Sequence, residues 1–353
     1  MTRDEAIAKI ARASRIAGED FSGVDLSGFD FSGVSLEDVR LAGANLAGAD
    51  FREAILLRCD LGGAILAGAA LGQAILNKCN LAGASLERAD MRAAHLHTSV
   101  FDGASLDEAK LLLSAWANCS LKGARLGRAH AERVTWASCD LTGFDMSGSR
   151  VEKTIIFEAN LSRSPIGGAT FDKVVFHATS FAGVDLSGRE FVICSFINAD
   201  MTGCDLTGAR LEKCNFIGAK LPAVELDRIH APNALFCEAV LTDASFREAH
   251  LPQAIFNDAD VSRANFQKAM LKQAAFIRAR CAGALFDGAD LYEGDMQHAD
   301  LTGASFMGAG LYRTRLHCAI ETGTKWGSGR ALALGTDEAQ ARAELFVPKV
   351  VEP

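Results

Sequence analysis

The chain has 353 residues, 49% of them hydrophobic but only 7% aromatic, with 33 glycines and 6 prolines. Its net charge of −8 argues against a phosphate-binding surface, because nucleic-acid binders carry a basic footprint. No apolar run approaches the ~20 residues that a membrane span needs, so neither direct nucleic-acid binding nor membrane insertion is expected.

The first twenty residues are charged throughout and lack the apolar block of a signal peptide. Thr2-Arg3-Asp4-Glu5 reads as a capping box, with Glu5 at the third helical position. Ile7, Ile10 and the neighbouring alanines give one apolar face, so a helix is predicted over residues 2–17.

From Phe21 to Leu316 every fifth position belongs to one column, sixty pentapeptides without an insertion. The column holds Leu, Phe, Met, Ile or Val everywhere except Trp116, Trp136, Ala131, Ala231 and Cys281. Two residues earlier the position is small, most often Ala, and an acidic residue or Asn often lies between, as in Ala44-Asn45-Leu46 and Ala299-Asp300-Leu301. A period of five fits neither a strand nor a helix. Two inward positions in every five require a corner after each pentapeptide. Four corners close a square coil of 20 residues, which gives about 15 coils stacked at ~4.8 Å by backbone pairing. One large and one small inward residue per side fill a narrow square without voids, and Gly43, Gly63 and Gly83 recur at corners.

These residues resemble the pentapeptide-repeat family, whose motif reads A(D/N)LXX. The resemblance covers residues 21–316 and implies an all-β solenoid, a right-handed quadrilateral β-helix. An open solenoid needs caps, because its terminal coils expose core and unpaired backbone. Residues 1–20 are therefore read as an N-terminal capping helix, and residues 317–353 as a C-terminal cap or dimerisation tail. The tail holds a Gly-rich stretch from Gly323 to Gly335 that includes Trp326, and a short helix is predicted between Thr336 and Phe346.

Positions twenty apart form vertical ladders. Phe176, Phe196, Phe216, Phe236, Phe256 and Phe276 share one, and Phe246, Phe266, Phe286 and Phe306 another; both are read as core. Arg189 falls on an inward small position. A buried unpaired guanidinium is costly, so a local bulge turning it outward is expected. Cys59, Cys79, Cys119, Cys139, Cys194, Cys204 and Cys214 occupy the same small column, where free cysteine behaves as a small apolar residue. Pairs one coil apart have the wrong torsion for disulfides, so reduced thiols and a reducing compartment are expected, the bacterial cytoplasm foremost. Export by a non-classical route stays open.

No phosphate loop, nucleophile elbow or nucleotide fingerprint is present. His230 and His250 stack one coil apart, and His95 and His97 flank one leucine, but metal sites need three or four convergent ligands. No catalytic residue, metal or cofactor is expected. One outer face instead concentrates bulky apolar residues beside its inward column: Ile55, Leu57, Ile75, Ile155, Phe157, Val175, Ile197, Ile217, Leu235, Ile255 and Ile277. β-propensity alone does not explain their concentration on one face. The expectation is a non-catalytic scaffold or adaptor that binds a protein partner there. Tyr292, Tyr312 and Trp326 mark an end interface through which a homodimer would form.

The resemblance also implies two other roles. One is inhibition or protection of DNA gyrase by acidic mimicry of the duplex. DNA carries one charge per ~1.7 Å, and even the most acidic face here falls far short of that density, with Arg88, Arg125 and Arg128 interrupting it. The other is an accessory or effector-loading role in type VI secretion, suggested by long, loop-free members of the family.

Overall fold

The computed structural model describes residues 2–10 and 14–345. The protein is a parallel β-solenoid of about 16 turns. It divides into two compact units, Met1–Asp185 with Ile193–Asp200, and Leu186–Val192 with Met201–Pro353.

The twenty-residue period is written in the hydrogen bonds. In the first unit Leu26 N–H donates to Asn45 O at 2.7 Å, and Asn45 N–H donates back to Val24 O at 3.0 Å. The second unit repeats this pattern, with Phe246 N–H on Asn265 O at 2.7 Å. Each coil thus satisfies the backbone of the one before it, as a parallel ladder requires.

Corners are of two kinds. Most close a four-residue turn, as where Phe29 N–H donates to Leu26 O at 3.1 Å with Gly28 at φ +66°. Positive φ at the third residue is the signature of a type II turn and favours glycine. Many of these positions are not glycine: Glu53 and Gln73 both lie at φ +60°. On one face of the first unit the corner opens into three-residue strands, Ser35–Glu37, Ile55–Leu57, Ile75–Asn77, His95–His97, Ala115–Ala117, Thr135–Ala137, Ile155–Phe157 and Val175–His177. They pair in parallel at a constant shift of twenty residues. A second face carries His130–Glu132, Arg150–Glu152 and Thr170–Asp172 in the same manner.

The core has the two expected columns. Leu36, Leu56 and Leu76 are fully buried, as are the small Ala44, Ala64 and Ala84 (1% exposed or less). In the first unit Phe176 and Phe196 stack at 5.1 Å. In the second unit Phe216, Phe236, Phe256 and Phe276 stack at 4.6–4.9 Å, close to the coil rise itself. The neighbouring ladder, Phe246 to Phe306, meets it edge to face, as between Phe256 and Phe266 at 5.6 Å and 87°. Each ring thus has parallel neighbours along its ladder and perpendicular neighbours across it, an arrangement aromatic quadrupoles favour.

Both ends depart from the sequence reading. A helix, α1, spans Arg3–Ile10 and buries Ala6 and Ile10, and its capping box forms: Thr2 N–H donates to Glu5 Oε2 at 2.8 Å and Glu5 N–H to Thr2 Oγ1 at 3.3 Å. The helix does not reach Ala17, because Arg15–Ala17 is a strand paired with Ser35–Glu37. Ile16 already sits in the large column, 6% exposed, and the pull of that ladder outweighs continuation of a short helix. At the other end the register runs on past Leu316. Lys325–Trp326 pairs with Ser305–Phe306, and Trp326 stacks on Phe306 at 4.6 Å. Trp326 ends the aromatic ladder with a larger plate than an aliphatic residue offers.

The bulge expected at Arg189 does not form. Its N–H donates to Leu186 O at 3.2 Å and its carbonyl accepts from Arg210 N–H at 2.8 Å, as an alanine's would. The side chain is half-buried, with Nε enclosed and lacking a hydrogen-bond partner. The side chain thus occupies the position without deforming the ladder, at the cost of an enclosed Nε.

Two substitutions test this account. Phe256→Ala opens a cavity inside two crossed aromatic ladders and is expected to destabilise the second unit by about 3–5 kcal/mol, read from urea denaturation followed by circular dichroism. Ile193 is a β-branched residue at φ +51° and 49% exposed. Ile193→Gly relieves a left-handed strain of ~1–2 kcal/mol at some cost in chain entropy, so a net gain of roughly 0.5–1 kcal/mol is expected in the same assay.

Candidate functional site

The apolar face is built by the three-residue strands. Their middle residue is inward, so both flanking residues stand outward. In the first unit this exposes Ile55, Ile75 and Ile155 (37%, 41% and 46%), while Leu57, Phe157, Val175 and Ile197 are half-buried. Ile55 is paired directly with Ile75, and Ile155 with Val175. Phe157 stacks on His177 at 5.2 Å. Such cross-strand neighbours cover one another. Between Ile75 and Ile155 the ladder passes through His95, Ala115 and Thr135, so the first unit presents two apolar clusters and not one band. In the second unit Ile217, Leu235, Ile255 and Ile277 are all half-buried, Leu235 bridging to Ile255. Exposed apolar side chains also occur off this face, among them Ile65, Met270 and Met307.

Of the expected end residues, Tyr292 and Tyr312 are exposed and stacked at 5.5 Å. Trp326 is half-buried, its ring committed to Phe306 and to Arg330, whose guanidinium carbon lies 5.3 Å from the ring centre. It serves the core more than the surface.

Several surface carboxylates are answered from the adjacent coil. Arg263 holds Asp243 and Arg278 holds Asp258, each through two 2.7 Å hydrogen bonds, and Arg280 reaches Asp260 at 2.7 Å. The Arg263 and Arg278 contacts hold the carboxyls of Asp243 and Asp258 below the usual range. Acids paired so closely present less free negative charge.

The cysteines have a structural task that the sequence reading missed. Where a corner is a strand instead of a closed turn, the inward carbonyl needs another donor, and the small residue 23 positions on supplies it. Cys59 Sγ lies 3.4 Å from Leu36 O, Cys79 Sγ 3.4 Å from Leu56 O, and Ser99 Oγ 3.4 Å from Leu76 O. Thr154 and Thr179 do the same for Ala131 and Ile156. The exchange of Cys, Ser and Thr at one ladder position was the signal available: all three are small hydrogen-bond donors. The Cys79 thiol is pushed up by its contact with Cys59 and by burial, and burial pushes up Cys281. The ten cysteines are free thiols in this structure.

His230 and His250 stack at 4.7 Å, nearly parallel, with His250 held below its usual pKa by burial and by its neighbour. His95 and His97 are both exposed on either side of Leu96. Neither pair gains a third ligand, whereas two side-chain clusters elsewhere do: His130 with Glu132 and Glu152, and His298 with His317 and Glu344. Among the described residues no helix is long and apolar enough to cross a membrane.

The family model for pentapeptide repeats matches eight overlapping copies, between residues 20 and 112 and between 194 and 317, more than half of the chain. The chain belongs to the pentapeptide-repeat family. Residues 113–193, where this pentapeptide-repeat protein carries Trp116, Ala131, Trp136, Phe144 and Arg189 at inward positions, fall outside the match. No curated protein matches. Among solved structures it resembles QnrB1, a plasmid-mediated fluoroquinolone resistance protein, at 19% identity over 62% of this chain and 100% of that one (TM-score 0.38). It also resembles HetL of the cyanobacterium Nostoc sp. strain PCC 7120, a pentapeptide repeat protein involved in heterocyst differentiation regulation, at 21% over 90% and 97% (0.19). A pentapeptide repeat protein of the Arabidopsis thaliana thylakoid lumen matches at 28% over 28% and 67% (0.22).

Thiol titration checks the role of the cysteines. Under native conditions only the half-buried Cys237 and Cys318 are expected to react promptly with an aromatic disulfide reagent, and all ten after denaturation. Cys79→Ser should change stability by no more than ~1 kcal/mol, because the hydroxyl keeps the hydrogen bond.

Proposed function

We propose that this pentapeptide-repeat protein is a non-catalytic binding scaffold, and that the partner is another protein docked on the outward apolar clusters of the strand face. The observation that carries the reading is the first-unit cluster of Ile155, Phe157, Val175 and Ile197. Two of these residues pair directly across the ladder, and Ile155 remains 46% exposed. Rigid, preformed apolar surface on a β-ladder loses little conformational entropy on docking. Apolar anchors of this kind form the centre of protein interfaces.

Neither alternative gains comparable support. Mimicry of DNA toward a topoisomerase requires free negative charge, and the carboxylates of Asp243, Asp258 and Asp260 are engaged by arginines. A role in type VI secretion has no residue in this structure to rest on.

The test is a comparison of wild type with an Ile155→Asp/Ile197→Asp variant, each first measured for solution mass by light scattering and then used as bait. The charges stand outward, so folding should be unaffected by circular dichroism. A wild-type oligomer or a defined co-purifying protein that the variant loses at least ~10-fold supports docking on this cluster. Identical mass and identical captured proteins in both would sink it.

A further inference from the structure

The last helix, α2, spans Glu338–Glu344 and buries none of its residues, so apolar packing does not explain why it lies where it does. What it brings to the coil is a carboxylate. Glu344 Oε2 lies 3.3 Å from His298 Nε2 and 3.3 Å from His317 Nε2. The two rings cross at 87° with centres 5.5 Å apart, so their Nε2 atoms converge instead of stacking as His230 and His250 do. All three ligand atoms lie within 4.8 Å of one another.

We infer that His298, His317 and Glu344 form a site for a divalent transition metal, with zinc the ion its donors fit best. Zinc takes imidazole nitrogen and carboxylate oxygen at ~2.0–2.2 Å in a tetrahedron, whose edges are then about 3.3–3.5 Å. The two Nε2–Oε2 separations match such edges. The three ligands leave a fourth position open. A cleft of about 660 Å³, lined in part by His317, Arg315 and Gln340, gives an ion a way in.

The neighbouring contacts orient the ligands. His298 N–H donates to His317 O at 2.9 Å, which fixes the two corners together. Gln340 Nε2 donates to Glu344 Oε1 at 2.8 Å and leaves Oε2 to face the histidines. His317 is 6% exposed at its side chain, and Asp337 N–H approaches its Nδ1 at 3.1 Å. In the metal-free chain His317 therefore carries its proton on Nε2, directed at Glu344. A bound ion would take the Nε2 lone pair, the ring's proton would pass to Nδ1, and the Asp337 contact would be given up. Losing that contact sets a moderate affinity. The rival cluster of His130, Glu132 and Glu152 is less suited, because Arg150 already occupies the Glu152 carboxylate.

The experiment is calorimetric titration of the full, chelator-stripped chain with zinc, for wild type, His298→Ala, Glu344→Gln and the control His130→Ala. Expected are about one zinc per wild-type chain, binding weakened roughly 10-fold or more in the first two variants, and an unchanged control. No zinc uptake by wild type, or equal uptake in His298→Ala and Glu344→Gln, would overturn the site. Tryptic cleavage at Arg342 gives a second readout that does not depend on coil stability. Zinc should slow it in wild type and not in Glu344→Gln; cleavage indifferent to zinc in wild type would overturn the tie between α2 and the coil.

Discussion

Everything in this protein hangs on one constraint: a backbone ladder that repeats after twenty residues and admits no slip. Each coil offers its N–H groups to carbonyls of the next, so a one-residue shift would strip both the hydrogen bonds and the inward columns at once. Because the ladder is parallel and in register, like residues stack on like. That is why phenylalanines form continuous columns, why arginines fall over aspartates one coil away, and why a Cys, Ser or Thr can reach back to a carbonyl 23 positions earlier.

The same constraint decides what a surface on this fold can be. Side chains beside an inward residue are held at fixed spacing along the ladder and partly cover each other. A single exposed isoleucine is ordinary, but a ladder repeats its neighbour and turns one residue into a cluster. The proposed docking surface on the first unit arises in this way, and so does the pairing that neutralises Asp243 and Asp258. Chemistry of a different kind collects where the ladder ends. There the last coil, its corner histidines and α2 come from segments with different geometries, and titratable groups of unlike origin can converge.

Particular residues show how far reading the chain could go. The inward columns were legible because burial on a period of five has no other explanation, and the capping box at Thr2 and Glu5 formed as its spacing implied. Arg189 was misread because full burial was assumed for its position, whereas its side chain is only half-buried and the ladder keeps its hydrogen bonds. Ile16 and Trp326 were missed as members of the ladder because neither lies in a recognisable motif; each is held by pairing with the adjacent coil. Across residues 113–193 the family motif fades but the period of five carries through, and Trp136 and Val151 are buried in regular strands.

The sequence by itself determined the period, the two inward columns, the corner residues and hence a β-solenoid, because these follow from local spacing repeated sixty times. It also determined which residues share a face, since a fixed period makes that an arithmetic question. Only the tertiary structure decided which corners close as turns and which open as strands. That choice depends on whether a neighbouring coil can supply a donor for the freed carbonyl. It alone decided that neighbouring side chains cover most of the apolar face while Ile55, Ile75 and Ile155 stay exposed. And it alone joined His298 and His317 to Glu344, because that contact lies where the repeat ends and the period no longer says what meets what.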